Sequence, residues 1–170
     1  IAQEATGNAT KVVGSIAPLE DCYSPDLFPG RDASVAEFSK LGEWLVEAGV
    51  DILLLETMNS KAETEIAISS IETFGLPIWV SFVLRDNHHL LSGDSISKII
   101  EMVKDYSIDC ILLNCNPLDR TLMAAEYLAV NWPHKWGVYP NLGIGEPPPN
   151  GHIIHYEDMD CFLSSMKKII

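Results

Sequence analysis

Two short apolar runs end abruptly on residues that can do chemistry. Cys110-Ile111-Leu112-Leu113 stops on Asn114-Cys115, and Ile52-Leu53-Leu54-Leu55 stops on Glu56-Thr57. A thiol offers a metal ligand or a nucleophile. A carboxylate offers an acceptor for a ligand's ammonium group, or an acid–base group. Each residue also has a plainer reading. Most free cysteines are small, inert core residues. Glu56 can be a strand-end ion pair or a cap on the next helix, and Asn114 can be a turn residue. Other apolar runs close on Gly14-Ser15, on Ser81 and on Tyr139-Pro140-Asn141. No histidine closes a run, which weakens a Cys–His nucleophile. His88 and His89 fall in a polar loop, where paired histidines are usually solvated.

The elements that must carry these residues follow from periodicity. Apolar runs without alternation are strands buried on both faces. Strands are expected over Lys11–Ile16, Asp51–Thr57, Ile78–Val83, 110–115 and Trp136–Pro140. Between them lie helical patterns. Ser34-Val35-Ala36-Glu37 and Ser60-Lys61-Ala62-Glu63 have the capping-box form, and Gly49 and Gly75 are stop signals. Ile96, Ile99, Ile100 and Val103 mark a helix from Ser95; Leu118, Leu122, Ala125 and Leu128 mark another. A last helix begins near Glu157. The connection from Ala17 to Ala33 carries Pro18, Pro25, Pro29 and Gly30, and is a long loop with Cys22, Tyr23 and Phe28 in it. Residues 141–151 are too rich in Pro and Gly for regular structure.

Strand and helix alternate about five times, at the ~30 residues expected of a βαβ unit. Such alternation makes a parallel sheet, whose carboxyl-end rim carries the chemistry. An open doubly wound sheet competes with part of a (β/α)8 barrel. Both ends read as interior: Ile1–Gly7 as the last turn of a helix, and Lys167–Ile170 as an amphipathic pattern without a stop. The expected fold is therefore α/β, an incomplete (β/α)8 TIM barrel of about five βα units, forming one partial domain over residues 1–170. Such a piece has open sheet edges and an exposed apolar face. The expectation is that it is inactive alone and aggregates or binds partner chains.

Composition limits the partners. The chain has 170 residues and a net charge of −13, from Asp+Glu 24 against Lys+Arg 11. That balance disfavours nucleic acid and anionic membrane surfaces. No apolar run approaches the ~20 residues of a membrane span. The four cysteines are scattered, without a CxxC, and read as reduced thiols of a cytoplasmic protein. Cys110 and Cys161 lie in apolar patterns and are expected in the core. No Gly-rich nucleotide loop follows any strand.

Five stretches together carry a resemblance. They are Val13–Pro18, Glu47–Asp51 running into Leu55-Glu56-Thr57-Met58, Trp79–Phe82, Leu113-Asn114-Cys115, and Val138-Tyr139-Pro140-Asn141. In this order and spacing the chain resembles the homocysteine S-methyltransferase family over nearly its whole length. The resemblance implies a (β/α)8 barrel in which Val12–Ile16 is the third strand and Val138–Pro140 the seventh. It implies zinc-dependent transfer of a methyl group to homocysteine, giving methionine, in the full-length protein. The donor would be a sulfonium, a betaine or a methylated folate.

The family holds Zn²⁺ on three cysteine thiolates. The one in the Asn-Cys motif maps onto Cys115. The other two form a Gly-Gly-Cys-Cys pair at the eighth strand, which this sequence does not reach. Glu56 resembles the position that contacts the amino group of homocysteine, and Asn114 would support the site around Cys115. The chain departs from the family at Ala17, usually Gly, and lacks a histidine common after Phe38. Two other readings stand beside this one. One is a catalytically inactive barrel kept for binding or structure. The other is a different (β/α) enzyme that uses Glu56, with Cys115 structural.

Overall fold

The computed structural model describes residues 2–7, 9–145 and 155–169. Its centre is a five-stranded parallel sheet: β1 Val13–Ile16, β2 Ile52–Met58, β3 Ile78–Phe82, β4 Ile108–Asn114 and β5 Lys135–Tyr139. The helices are α1 Ala2–Thr6, α2 Arg31–Glu47, α3 Lys61–Ile71, α4 Ile96–Val103, α5 Leu118–Asn131 and α6 Met159–Met166.

Strand order decides between the two expected architectures. The order is β1-β2-β3-β4-β5, with every neighbour consecutive in sequence. A doubly wound sheet reverses its order at a switch point. An unbroken order with right-handed crossovers keeps every helix on one face, which is how a barrel grows. The fold is an α/β segment of a TIM barrel.

The two faces of the sheet differ accordingly. Leu53, Leu55, Val80, Phe82, Ile111 and Leu113 join one buried cluster with Ile66, Ile68, Ile99 and Leu128 of the helices. The alternate residues point to the concave side. The register sets Val13 beside Ile52, Ser15 beside Leu54, Trp79 beside Leu54 and Cys110, and Ser81 beside Leu112. This inner face is less covered: Val13 is 38% exposed and Leu53, on the other face, 0%. Gly14 confirms which way β1 faces, because a Cβ there would lie 3.0 Å from Leu45 of α2.

Local signals were followed with exceptions. Ser60 caps α3 and accepts from Glu63 N at 3.4 Å, and Ser95 caps α4. Glu63 does not complete the expected box: its carboxylate is turned to Leu19 N, at 3.0 Å. Ser34 does not start α2. The helix begins at Arg31 after Gly30, whose φ of 89° suits glycine, and the Ser34 hydroxyl bonds back to Gly30 O at 2.7 Å. Cys110 is buried as expected, but Cys161 is exposed on α6. The expected loop over 141–151 lies partly outside the described residues.

Candidate functional site

All five strands contribute a polar side chain to one rim, and hydrogen bonds link them in a single chain. From β1, Ser15 Oγ donates to Glu56 Oε2 at 2.5 Å. From β5, Tyr139 OH lies 2.9 Å from Glu56 Oε1 and 3.1 Å from Ser81 Oγ. Ser81 Oγ donates to Asn114 Oδ1 at 2.5 Å. Asn114 Nδ2 then donates to Thr57 Oγ1 at 2.7 Å and to Cys115 Sγ at 3.2 Å. The proton count orders this chain. Ser81 has one proton and commits it to Asn114. Tyr139 has one, and the charged acceptor Glu56 is the nearer partner.

Two backbone irregularities aim the key residues. The β2–β3 register shifts between Leu55 and Met58, a bulge that holds Glu56 and Thr57. Bulges re-aim side chains beside functional sites. Thr57 has φ 60° and Cys115 has φ 55°, and they are the only left-handed non-glycine residues among those described. A β-branched residue with positive φ is strained, by about 1–3 kcal/mol, and persists only where its surroundings hold it. Here one side chain holds both: Asn114, fully buried, donates to Thr57 and to Cys115.

The long β1–α2 loop closes one side. Leu19 N is held by Glu63 and Cys22 O by Asn59 Nδ2 at 3.0 Å. Burial pushes the carboxyl of Glu63 above its ordinary range. The same loop brings Cys22 and Tyr23 toward Cys115. Burial first, then the neighbouring Cys115 and Cys22 and a hydrogen bond with Cys115, push the Tyr23 hydroxyl up to about 12. Burial and the charge of Asp21, with Cys115 adding, raise the Cys22 thiol. On the opposite side Asn116, fully buried, accepts from Leu84 N at 2.7 Å and donates to Phe82 O at 3.2 Å, fastening the β3–α4 connection to β4.

Glu56, Asn114 and Cys115, singled out from sequence, thus share one rim with Ser15, Ser81 and Tyr139. Asn141 does not join them; its backbone N bonds to Asn116 O. His88 and His89 also stay apart, His89 paired with Asp86 at 2.8 Å. Asn59 was not singled out, Thr57 was marked only as the neighbour of Glu56 at a strand end, and Tyr23 only as a loop aromatic, since nothing local marks a bulge or a contact across the rim. Among the described residues no group of three or more His, Cys, Asp or Glu side chains is gathered to hold a metal ion. Cys115, half-buried, offers one thiol.

Comparison with known proteins places the chain in a family. The family model for homocysteine S-methyltransferase matches residues 1–167. The homocysteine S-methyltransferase of Escherichia coli (strain K12) is 28% identical over 151 residues, covering 84% of this chain and 49% of that protein. Homocysteine S-methyltransferase 1 of Arabidopsis thaliana is 33% identical over 102 residues, covering 58% of this chain and 31% of the relative. The chain thus spans about half the length of the Escherichia coli relative and less of the plant one. Among solved structures, the metallated form of the homocysteine methyltransferase MmuM from Escherichia coli matches with TM-score 0.75 and 27% identity, over 84% of this chain and 52% of that one. Its apo form matches with TM-score 0.73 and 27% identity, over 84% and 56%. On a match that runs nearly from end to end, the chain belongs to the homocysteine S-methyltransferase family.

Proposed function

We propose that the full-length protein carrying this chain transfers a methyl group to the thiol of homocysteine, giving methionine. The observation that carries this reading is the hydrogen-bonded rim, which ties a carboxylate and a thiol to one buried amide. Glu56 accepts from a hydroxyl at each oxygen, and each oxygen keeps a second lone-pair direction. It is therefore built to receive N–H donors, and the substrate's ammonium group supplies them. Cys115 Sγ is the protein ligand for the metal, with Asn114 Nδ2 orienting it from behind. Hydrogen bonds of this kind fix a ligand's direction and tune the site.

Zinc is the metal proposed, on the chemistry of the donor, and the remaining ligands lie outside this chain. When bound, Zn²⁺ would keep an alkyl thiol as thiolate at neutral pH, where free thiols are mostly protonated. The chain's own residues do the rest. Glu56 anchors the amino group, so the substrate sulfur points toward Cys115. The β1–α2 loop, fastened by Glu63 and Asn59, covers that side. The donor class, whether sulfonium, betaine or methylated folate, stays open. We further infer a single partial domain over residues 1–170 in a cytoplasmic protein with reduced thiols, a partner to neither nucleic acid nor membrane. No described helix is long and apolar enough to cross a membrane.

The test is Cys115→Ala in the full-length protein. Bound zinc, measured by atomic emission, should fall, and methylation of homocysteine should be lost. Full activity without bound metal would overturn the reading. If Glu56→Gln abolished turnover while Cys115→Ala did not, a different barrel enzyme using Glu56 would be indicated. Full-length protein with no turnover of any thiol would point to an inactive barrel.

A further inference from the structure

We propose that Tyr139 is a positioning residue for substrate recognition, fixing the Glu56 carboxylate in the orientation that receives the ammonium group. The inference rests on the reading of Glu56 given above.

Three observations carry it. First, the hydroxyl reaches from the end of β5 across to the end of β2, 2.9 Å from Glu56 Oε1. With Ser15 on Oε2 at 2.5 Å, the carboxylate is held from both sides by different strands, so its rotation is fixed. Second, the proton count leaves Tyr139 as the donor. Ser81 gives its only proton to Asn114 Oδ1, so the oxygen 3.1 Å from Tyr139 can only accept. Third, the phenol keeps its proton. Burial foremost, and then the adjoining Glu56 carboxylate, raise Tyr139 far above the ordinary tyrosine range. Tyr139 therefore cannot act as a base near neutrality; it holds.

A structural role alone would look different. Tyr139 stands at the end of its strand, 38% exposed and outside the buried core cluster, so its hydroxyl does not fill the core. What the hydroxyl does is oppose Ser15 across one carboxylate. The consequence is selective. A thiol acceptor with an amino group should feel the loss of Tyr139; one without it should not.

The experiment uses the full-length protein with saturating methyl donor. Tyr139→Phe removes only the hydroxyl. KM for homocysteine should rise about tenfold, the worth of one hydrogen bond to a charged group, with kcat changed far less. With 4-mercaptobutanoate, which lacks the amino group, the variant and the parent should have the same KM. In a Glu56→Gln background the tyrosine substitution should add little, because its partner is already altered. An unchanged KM for homocysteine in Tyr139→Phe, while Glu56→Gln raises it, would overturn this inference and leave the reading of Glu56 intact. An equal loss with both thiols would also overturn it, by showing a structural role. An unchanged KM in Glu56→Gln would overturn the reading of Glu56 itself, and this inference with it.

Discussion

Asn114→Ala tests the centre of the site directly. The side chain is fully buried and makes three hydrogen bonds, from Ser81 at 2.5 Å, to Thr57 at 2.7 Å and to Cys115 at 3.2 Å. Alanine removes them unequally. Ser81 can turn its proton to Tyr139, 3.1 Å away, and recover most of its loss. Thr57 Oγ1 loses its donor in a residue only 8% exposed. An unsatisfied buried polar group costs about 1–3 kcal/mol. The amide also leaves a small void, and Thr57 and Cys115 lose the contact that holds them left-handed. Together these give a loss of about 2–4 kcal/mol. With a urea slope of about 2 kcal/mol/M, the midpoint should fall by about 1–2 M. Asn114→Asp separates the causes. It keeps the shape and the acceptor for Ser81 but gives up the donor to Thr57 and Cys115, so it should fall about as far. A drop below about 0.5 kcal/mol in Asn114→Ala, or wild-type stability in Asn114→Asp, would refute the argument.

Two further substitutions test the scaffold. Gly42 lies inside α2, where alanine gains about 1 kcal/mol in helix propensity. A Cβ there would lie 2.6 Å from Phe74 Cε2 and 3.1 Å from Ile71 Cγ2, and overpacking costs about 1–3 kcal/mol. Gly42→Ala should therefore lower the urea midpoint, and adding Phe74→Leu should reverse the sign; a more stable Gly42→Ala would show that the ring gives way. Glu63 is 2% exposed, and burial raises its carboxyl above the ordinary 4.5. The folded state then holds the proton more tightly than the unfolded state. This contribution to stability is fully present below the unfolded value and is lost as pH rises through the folded one. Gln cannot ionise, so Glu63→Gln should gain on the parent in urea titrations as pH rises above the ordinary carboxyl value of 4.5. A constant gap between the two proteins would count against it.

The rim was legible in the sequence because polar residues stood where apolar runs stopped. Ser15, Glu56, Ser81, Asn114 and Tyr139 all show this sign, and all meet. Their mutual order was not legible, since periodicity assigns strands but not neighbours. Only the pairing β1-β2-β3-β4-β5 excludes the doubly wound alternative. The β2 bulge escaped notice because Thr57 is a good strand residue with no local reason for φ 60°. Its reason is Asn114, distant in sequence. Cys22 and Tyr23 were seen only as part of a loop, because what they approach lies on β4's end. Ser34 misled because a capping pattern inside a helix looks like one at its start; Gly30, four residues earlier, set the boundary. Cys161 misled because an apolar pattern says a helix has a packing face, not that each member reaches it.

Every strand supplies a link of the rim, and that has a consequence for how the protein assembles. Successive residues of a strand point to opposite sides, so a slip of one residue turns every side chain of that strand over. A slip in β3 would send Ser81 toward the helices, and a slip in β5 would do the same to Tyr139. Either would open the chain between Glu56 and Asn114. If Glu56 receives the ammonium group as proposed, affinity for the substrate and correct alignment of the sheet are then one property. Ligand binding doubles as an assay of strand alignment, and a collapsed intermediate with native strands out of step would be blind to its substrate.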